Sequence, residues 1–329
     1  MNHLISVIIV NWNGREHLDE CLDALSQQTY CNFETIFVDN GSTDGSVEFV
    51  ENNYRVVKLL KLGKNEGFCR GNNIGLRHAS GEFIALLNND TKADKYWLQE
   101  MYSAINTDPK VGICASCMVN YFNRDVIDTA GDGFDICGVG FKIGNNRPAA
   151  SFQRLSYVFG ACAGAALYRR SMLEEIGSFD DDYFAVGEDI DLSFRARLYG
   201  YKCIYAPKAI VYHKVNQTIR LYSRFLAFYA KRNVEYTYFK NMPGLLMALT
   251  LPLHLLYMIL SGIDAAMKGN LIEYFEAKLA FLRNWPVIMK KRNYIQKRRN
   301  ISSFTLLADF SSSYLLWKFK EFLKQHYND

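Results

Sequence analysis

The sequence lacks several patterns that would assign it to a common class of protein. Its formal net charge of +4 is too small to indicate nucleic acid as a partner. Its eight cysteines are scattered, without the dense spacing of a secreted disulfide scaffold, and we interpret them as reduced thiols. Cys114 and Cys117 have the spacing of half a zinc site, but no second pair follows them.

Two kinds of nucleotide site are also missing. No glycine-rich loop ends in Gly-Lys-Ser or Gly-Lys-Thr, and the glycines at 138 and 140 fit a dinucleotide fingerprint in neither spacing nor context. ATP-type and NAD-type sites are therefore not expected. The first residues enter an apolar segment without a basic leader or a small-residue cleavage site, so we expect a cytoplasmic location.

The sequence does contain a regular alternation of strand and helix patterns. Continuous apolar, β-branched runs predict strands buried on both faces at 5–10, 35–38, 83–87 and 111–115. Amphipathic periodicity predicts helices at 16–26, 46–52, 72–78 and 96–105. This order predicts an α/β fold with an open, mainly parallel sheet flanked by helices.

Polar residues follow the predicted strands. Asn11 and Asn13 come after the first strand, and Asn88-Asn89-Asp90 comes after the strand at 83–87. Ligands of such sheets bind beyond the carboxyl ends of the strands, so we expect these residues to share one pocket. Asp90 could hold a divalent cation against a diphosphate. The alternative is that the triplet is an ordinary strand-ending turn.

Two further segments could contact a nucleotide. Asp39, after the second strand, could accept a hydrogen bond from a nucleobase, or could form an Asx-turn that supports the next glycine. Gly67 would let the backbone approach a diphosphate, and Arg70 could add positive charge there. Asn73 lies in the same segment, whose alternative interpretation is a helix start capped by asparagine.

Acidic residues begin another predicted helix. One carboxylate among Glu188, Asp189 and Asp191 could be a general base that takes the proton of an acceptor hydroxyl. The alternative is capping, because carboxylates are stable at a helix N-terminus. His213 ends an apolar run and could complete a metal site with Asp90, although a lone histidine is usually structural.

Together these segments resemble the family-2 glycosyltransferases with a GT-A fold, particularly the bacterial rhamnosyltransferase-like branch. The matching stretches are 7–13, 38–46, 65–75, 86–90 and 177–201. The resemblance implies that Asp39 contacts the nucleobase, that Asp90 is the metal-binding residue ending an Asp-x-Asp-type motif, and that Asp189 is the base. His213 resembles the late metal ligand of the family. Asn88 stands where the motif usually has its first Asp.

The resemblance also implies an activity. We expect an inverting glycosyltransferase that uses Mn²⁺ or Mg²⁺ and moves a sugar, with rhamnose as the first candidate, from a nucleotide-sugar donor. The acceptor would be a glycan or lipid-linked saccharide of cell-surface polysaccharide synthesis, bound near 131–154. The alternatives are a nucleotidyltransferase and an inactive nucleotide-sugar-binding scaffold. Self-association into a homo-oligomer stays open.

The composition changes after His213, which predicts a catalytic domain at 1–215 and a mostly helical C-terminal module at 216–329. Residues 244–263 form an apolar run without a charged side chain, flanked on both sides by lysine and arginine. Basic flanks on both sides disagree with a single membrane crossing. We expect attachment to the inner-leaflet surface, with a packed core helix and a spanning helix as alternatives.

Overall fold

The computed structural model describes residues 3–214 and 223–312. The strands are β1 Ile5–Asn11, β2 Phe33–Asp39, β3 Lys58–Lys61, β4 Phe83–Leu87, β5 Thr91–Ala93, β6 Val111–Asn120, β7 Ile127–Thr129, β8 Asp132–Phe134, β9 Gly140–Lys142, β10 Ser156–Val158, β11 Ala165–Arg169 and β12 Lys202–His213. The α-helices are α1 Arg15–Ser26, α2 Ser46–Asn53, α3 Gly67–His78, α4 Trp97–Ile105, α5 Arg170–Ile176, α6 Glu188–Leu198, α7 Ser223–Asn241, α8 Gly244–Met267, α9 Leu271–Arg283, α10 Trp285–Lys297 and α11 Ser303–Leu307.

The central sheet has the order β10-β12-β6-β11-β4-β1-β2-β3. Strands β3, β2, β1 and β4 run parallel, as do β6 and β12, whereas β11 is antiparallel to both of its neighbours. The prediction of a mainly parallel α/β sheet is therefore confirmed. The carboxyl ends of β1, β2 and β4 meet at one edge, where the predicted polar residues begin.

The strands form where the sequence has apolar runs because the sheet is covered on both faces. One core contains Ile8, Ile36 and Ile84, and the other contains Val7, Phe37 and Ala85. Alternate residues of each strand thus enter opposite cores, so both sets must be apolar. The four predicted strands and four predicted helices are present, with α3 beginning earlier than predicted, at Gly67.

The C-terminal helices pack on the α/β part through α7, which contacts α6, α9 and α10. Buried charge holds this contact: Lys240 of α7 lies 2.6 Å from Asp180 and 2.8 Å from Asp191, and Lys291 of α10 lies 2.5 Å from Asp180. Burial opposes ionisation of Asp180, but the two lysines hold its pKa well below its usual range. The predicted boundary between 215 and 216 lies outside the described residues.

Helix α8 is the one helix in the described ranges that is long and apolar enough to cross a membrane, with a mean hydropathy of 1.8 over its most apolar window. Only 22% of that window is buried. Its inner side carries His254, which contacts Glu235 at 2.8 Å and stacks on Tyr238 with ring centres 3.7 Å apart. The other side, with α9, exposes an apolar face of Leu245, Leu249, Leu255, Leu256, Ile259, Ile263, Met267, Leu271, Ile272, Phe275, Leu279 and Leu282.

Candidate active site

Asp39 ends β2 directly beside Asn11, the last residue of β1. Its Oδ2 atom accepts hydrogen bonds from the backbone N–H groups of Gly41 and Ser42 at 3.1 and 3.0 Å. These bonds form the predicted Asx-turn. Its Oδ1 atom is buried and has no hydrogen-bond partner among the described residues. A buried acceptor without a partner is unfavourable, so this atom can receive a donor N–H from a ligand.

Asn11 connects two of the strand ends. Its side-chain oxygen accepts a hydrogen bond from Asn89 at 2.6 Å, and its amide donates to the hydroxyl of Ser42 at 3.1 Å. Asn13, which has a φ of 52°, donates its backbone N–H to the same hydroxyl and accepts from the N–H of Thr43. Asn11 and Asn13 therefore hold the turn after Asp39 in place.

The predicted residues of α3 have protein contacts that explain their identities. Gly67 has a φ of +86°, and a Cβ there would lie 2.7 Å from the ring of Phe184. Arg70 lies 3.2 Å from Glu66, one turn earlier. Asn73 donates to Phe179 and Asp181 and accepts from the N–H of Phe179. The side chain of Asn73 thus anchors a loop, and its contact with a donor stays a prediction.

Strand pairing brings Asp90 and His213 together. Strand β5 begins directly after Asp90 and runs antiparallel to the end of β12, with Thr91 opposite His213. The Nε2 atom of His213 consequently lies 3.5 Å from Oδ1 of Asp90, which is buried and has no hydrogen-bond partner among the described residues. Asn88 precedes this turn, and its backbone oxygen accepts the hydroxyl of Thr91.

Asp128 of β7 is a member of this cluster that the sequence did not reveal. Its Oδ2 atom lies 2.8 Å from Nδ1 of His213, and its Oδ1 atom accepts from Lys142 at 2.7 Å. Burial alone would lower the pKa of His213, but Asp128 and Asp90 outweigh it and raise the pKa to about 9. The only available signal was an aspartate inside a short apolar run, and nothing in that run identifies its partners.

The donor set fits a divalent cation, although the described residues contain no preformed group of three or more ligands. Asp90 would offer Oδ1, and His213 would offer Nε2 after losing the proton that Asp90 and Asp128 stabilise. Asp128 would hold Nδ1, which is the usual way in which a second carboxylate orients a metal-binding histidine.

The three acidic residues of α6 lie in different surroundings. Asp191 is fully buried and pairs with Arg195 and Lys240. Glu188 is buried with one oxygen that has no partner among the described residues, and burial followed by the charge of Asp189 raises its pKa well above normal. Asp189 is half-buried. Its partial burial raises its pKa, although hydrogen bonds from the N–H groups of Ile190 and Ala163 to its carboxylate act in the opposite direction. A capping carboxylate accepts from backbone N–H groups, whereas Asp191 pairs with the side chains of Arg195 and Lys240, so the capping alternative fits Asp191 least.

A cavity of about 390 Å³ lies beside the start of α6. Its polar lining includes Asp189, Glu188, Asp132 and Lys142, and its apolar lining includes Phe141. The predicted base therefore faces a space that could hold a small polar molecule. The lining from 138–142 belongs to the glycine-rich segment that was expected on the acceptor side.

Comparison with known families agrees with this arrangement of strand ends. The family model for glycosyl transferase family 2 matches residues 6–177, more than half of the chain. The chain belongs to glycosyltransferase family 2. The matched range includes Asp39 and Asp90 and ends before Glu188, so the family assignment does not depend on the proposed base.

Curated relatives carry related names. The chain is 25% identical over 247 residues to the N-acetylglucosaminyl-diphospho-decaprenol L-rhamnosyltransferase of Mycobacterium tuberculosis. The alignment covers 67% of this chain and 79% of that protein. It is 32% identical over 135 residues to glycosyltransferase GlyG of Streptococcus pneumoniae, and this alignment covers 39% of this chain and 42% of that protein. The chain thus spans less than half the length of GlyG.

Solved structures share the GT-A fold of this family. TarS 1-349 of S. aureus in complex with UDP-GlcNAc aligns with a TM-score of 0.58 at 18% identity, over 89% of this chain and 87% of that one. The mannosyltransferase PcManGT of Pyrobaculum calidifontis, in complex with GDP-Man and Mn²⁺, aligns with a TM-score of 0.51 at 19% identity, over 88% and 84%. The predicted GT-A fold with a helical C-terminal region is confirmed.

Proposed function

We propose that the chain is an inverting, metal-dependent glycosyltransferase that moves a sugar from a nucleoside-diphosphate donor to a hydroxyl group of a glycan or lipid-linked acceptor. The main support is that buried carboxylate oxygens of Asp39, Asp90 and Glu188 lack hydrogen-bond partners among the described residues. Such oxygens are costly unless a ligand or ion meets them. We assign the oxygen of Asp39 to a nucleobase, that of Asp90 to a metal ion and that of Glu188 to the acceptor side.

In this proposal the donor lies along the edge formed by β1, β2 and β4. Oδ1 of Asp39 accepts the ring N–H of the base, and Asp90 with His213 holds Mn²⁺ or Mg²⁺. When bound, the cation stabilises the negative charge that develops on the diphosphate leaving group. Asn88 and Asn89 directly precede Asp90 in the chain, and we assign them to the donor sugar or its phosphates. We assign Gly67 and Arg70 to the phosphates.

The acceptor enters the cavity beside Asp189. The acceptor oxygen attacks the anomeric carbon and its proton passes to the carboxylate of Asp189, while the bond from that carbon to the diphosphate breaks. The leaving nucleoside diphosphate carries away the bonding electrons. A single in-line displacement inverts the anomeric configuration, and no covalent glycosyl-enzyme forms.

The relatives support a role in cell-surface polysaccharide synthesis. The name of the Mycobacterium tuberculosis relative states rhamnosyl transfer to N-acetylglucosaminyl-diphospho-decaprenol, and a relative in Staphylococcus epidermidis is named poly-β-1,6-N-acetyl-D-glucosamine synthase. Rhamnose is our first candidate for the transferred sugar. A lipid-linked acceptor also suits the apolar face of α8 and α9, because the lipid of the acceptor would lie in the membrane that this face contacts.

We assign that apolar face to the inner-leaflet surface, on which the protein would be a peripheral or monotopic protein of the cytoplasmic side. Exposed basic residues adjoin the face in the chain, at Lys268 after α8, Arg283 at the end of α9, and Lys290 and Lys297 in α10. An apolar face bordered by basic residues fits a membrane surface, where the apolar side chains enter the lipid and the basic side chains contact anionic headgroups. The buried contact between His254 and Glu235 favours a helix that lies on the surface over one that crosses.

The test is a donor screen. Purified protein is incubated with UDP-, GDP- and dTDP-sugars, with Mn²⁺, Mg²⁺ or EDTA, and the release of nucleoside diphosphate is measured. We expect release with one nucleotide class, dependent on the cation. Release of pyrophosphate from a nucleoside triphosphate and a sugar phosphate would instead indicate a nucleotidyltransferase. Donor binding without turnover, in the presence of membrane acceptor extract, would indicate an inactive scaffold.

A further inference from the structure

Asp128 lies between the predicted metal site and the cavity. Its side chain is 1% exposed, in the short strand β7 that pairs with β6. A buried carboxylate must be compensated by hydrogen bonds and cations. Here the side chains of His213 and Lys142 compensate the charge of Asp128. They belong to different parts of the site, because His213 faces Asp90 and Lys142 lines the cavity beside Asp189.

The bonds from Asp128 restrict both partners. Oδ2 lies 2.8 Å from Nδ1 of His213, which turns Nε2 of the ring towards Asp90. Lys142 approaches Oδ1 and Oδ2 at 2.7 and 2.9 Å, so its ammonium group is held by both oxygens. The one carboxylate therefore sets the orientation of the imidazole and the place of the lysine.

We propose that Asp128 is a positioning residue that couples the metal site to the acceptor cavity by holding His213 towards Asp90 and Lys142 towards the acceptor. The inference depends on the proposed function, because it assigns the metal to Asp90 and His213. It predicts two separate effects of Asp128. Loss of the carboxylate weakens cation binding through His213, and it also releases Lys142 from the cavity wall.

The experiment measures two quantities in matched variants. The Mn²⁺ dissociation constant is determined by electron paramagnetic resonance of free Mn²⁺ at saturating nucleoside diphosphate, and the acceptor KM is determined at saturating metal. The variants are D128N and K142M. The control is D125N, which changes an exposed aspartate three residues earlier in the chain.

We expect D128N to weaken Mn²⁺ binding about 10- to 100-fold, as is usual when the partner of a metal-binding histidine is removed, and to raise the acceptor KM. K142M should raise the acceptor KM while the Mn²⁺ constant stays within about twofold, because His213 keeps its contact with Asp128. D125N should change neither quantity. The metal-free unfolding temperature is measured for each variant, since a general loss of structure would lower it.

Three outcomes overturn the inference. D128N that binds Mn²⁺ within about twofold of the wild type shows that His213 needs no support from Asp128. If D128N does not fold, the double variant D128N/K142M replaces it in the Mn²⁺ measurement. This variant removes the carboxylate and the opposite charge of Lys142 together, so it should be better tolerated. Mn²⁺ binding by this double variant equal to that of K142M would also contradict the proposal. A wild-type protein that binds no Mn²⁺ with any nucleoside diphosphate would contradict the proposed function, and this inference with it.

Discussion

The ammonium group of Lys240 lies 2.8 Å from Oδ1 of Asp191, and both side chains are almost completely buried. This contact joins α7 to the helix that carries the predicted base. It also narrows the choice among the three acidic residues of α6, because Asp191 is already committed to Lys240 and Arg195. Asp189 and Glu188 remain as residues that reach the cavity.

Replacing Asp191 should strongly destabilise the protein. D191N leaves Lys240 and Arg195 with less compensating charge in a buried place, so we expect the free energy of unfolding to fall by about 3 to 5 kcal/mol. Denaturant titration followed by circular dichroism measures this change. The control is D19N, which breaks the surface pair with Arg15 and should change stability by less than about 1 kcal/mol. Equal effects of the two variants would contradict the assigned role.

The loop before α6 gives a second prediction. Phe184 and Val186 have φ values of 62° and 70°, a region that a β-branched residue rarely adopts. The side-chain amide of Asn233 holds this loop through contacts with the carbonyl oxygens of Tyr183, Ala185 and Val186, at 3.1, 2.9 and 2.7 Å.

N233A should therefore lower the free energy of unfolding by about 1 to 3 kcal/mol and reduce turnover, because three carbonyl groups lose a donor and Glu188 follows the loop directly. Thermal unfolding and steady-state kinetics measure the two effects. N53A is a matched control, since Asn53 bonds one carbonyl of an exposed helix. Unchanged turnover in a destabilised N233A would show that the loop does not position the base.

The main features of the fold could be predicted from the sequence because they depend on local patterns. Apolar runs such as Ile5–Asn11 mark strands covered on both faces, and the residues that follow them mark the edge where ligands bind. Strand β3 was not predicted. Its sequence Lys-Leu-Leu-Lys is short and lies at the edge of the sheet, where half-buried leucines give no clear pattern.

The contacts within the site could be predicted only in part. Asp39 ends β2 and Asp90 follows β4, so the sequence could predict that both lie at the same edge of the sheet. The contact of Asp128 with His213 and Lys142 depends on the pairing of β7 with β6 and on the course of 131–142, which no local pattern records. The commitment of Asp191 to Lys240 likewise depends on how α7 packs on α6.

The pH dependence of turnover gives a third prediction. A general base must be ionised, and burial raises the pKa of Asp189 above that of an exposed aspartate. Turnover should therefore rise with pH through this raised pKa, and its acidic limb should lie above the usual range of aspartate, which is about 4.

The charged neighbours of Asp189 set the position of that limb. Burial raises the pKa of Asp189, whereas the charge of Lys142 lowers it. K142M should consequently move the acidic limb of turnover to higher pH, as measured by steady-state rates at saturating substrates. A limb at the usual value for aspartate, unmoved in K142M, would argue against Asp189 as the base.

Membrane binding gives a fourth prediction. The substitutions L249E and I272E place charge on exposed positions of the apolar face, so the fold should be retained while binding to vesicles weakens. Co-sedimentation with vesicles of anionic and neutral lipid measures this. The control is V56E, at a valine that is 96% exposed on the catalytic part. Binding unaffected by all three changes, or absent in the wild type, would remove the membrane from the proposed function.

Transfer by D189N tests the central claim most directly. Sugar transfer to acceptor and donor dissociation constant are measured for the wild type and for D189N, under the conditions in which the wild type is active. The proposed mechanism predicts turnover lower by about 10²- to 10⁴-fold in D189N, with donor affinity nearly unchanged, because the carboxylate acts on the acceptor proton. Near-normal turnover in D189N would contradict the mechanism and transfer the role of base to Glu188.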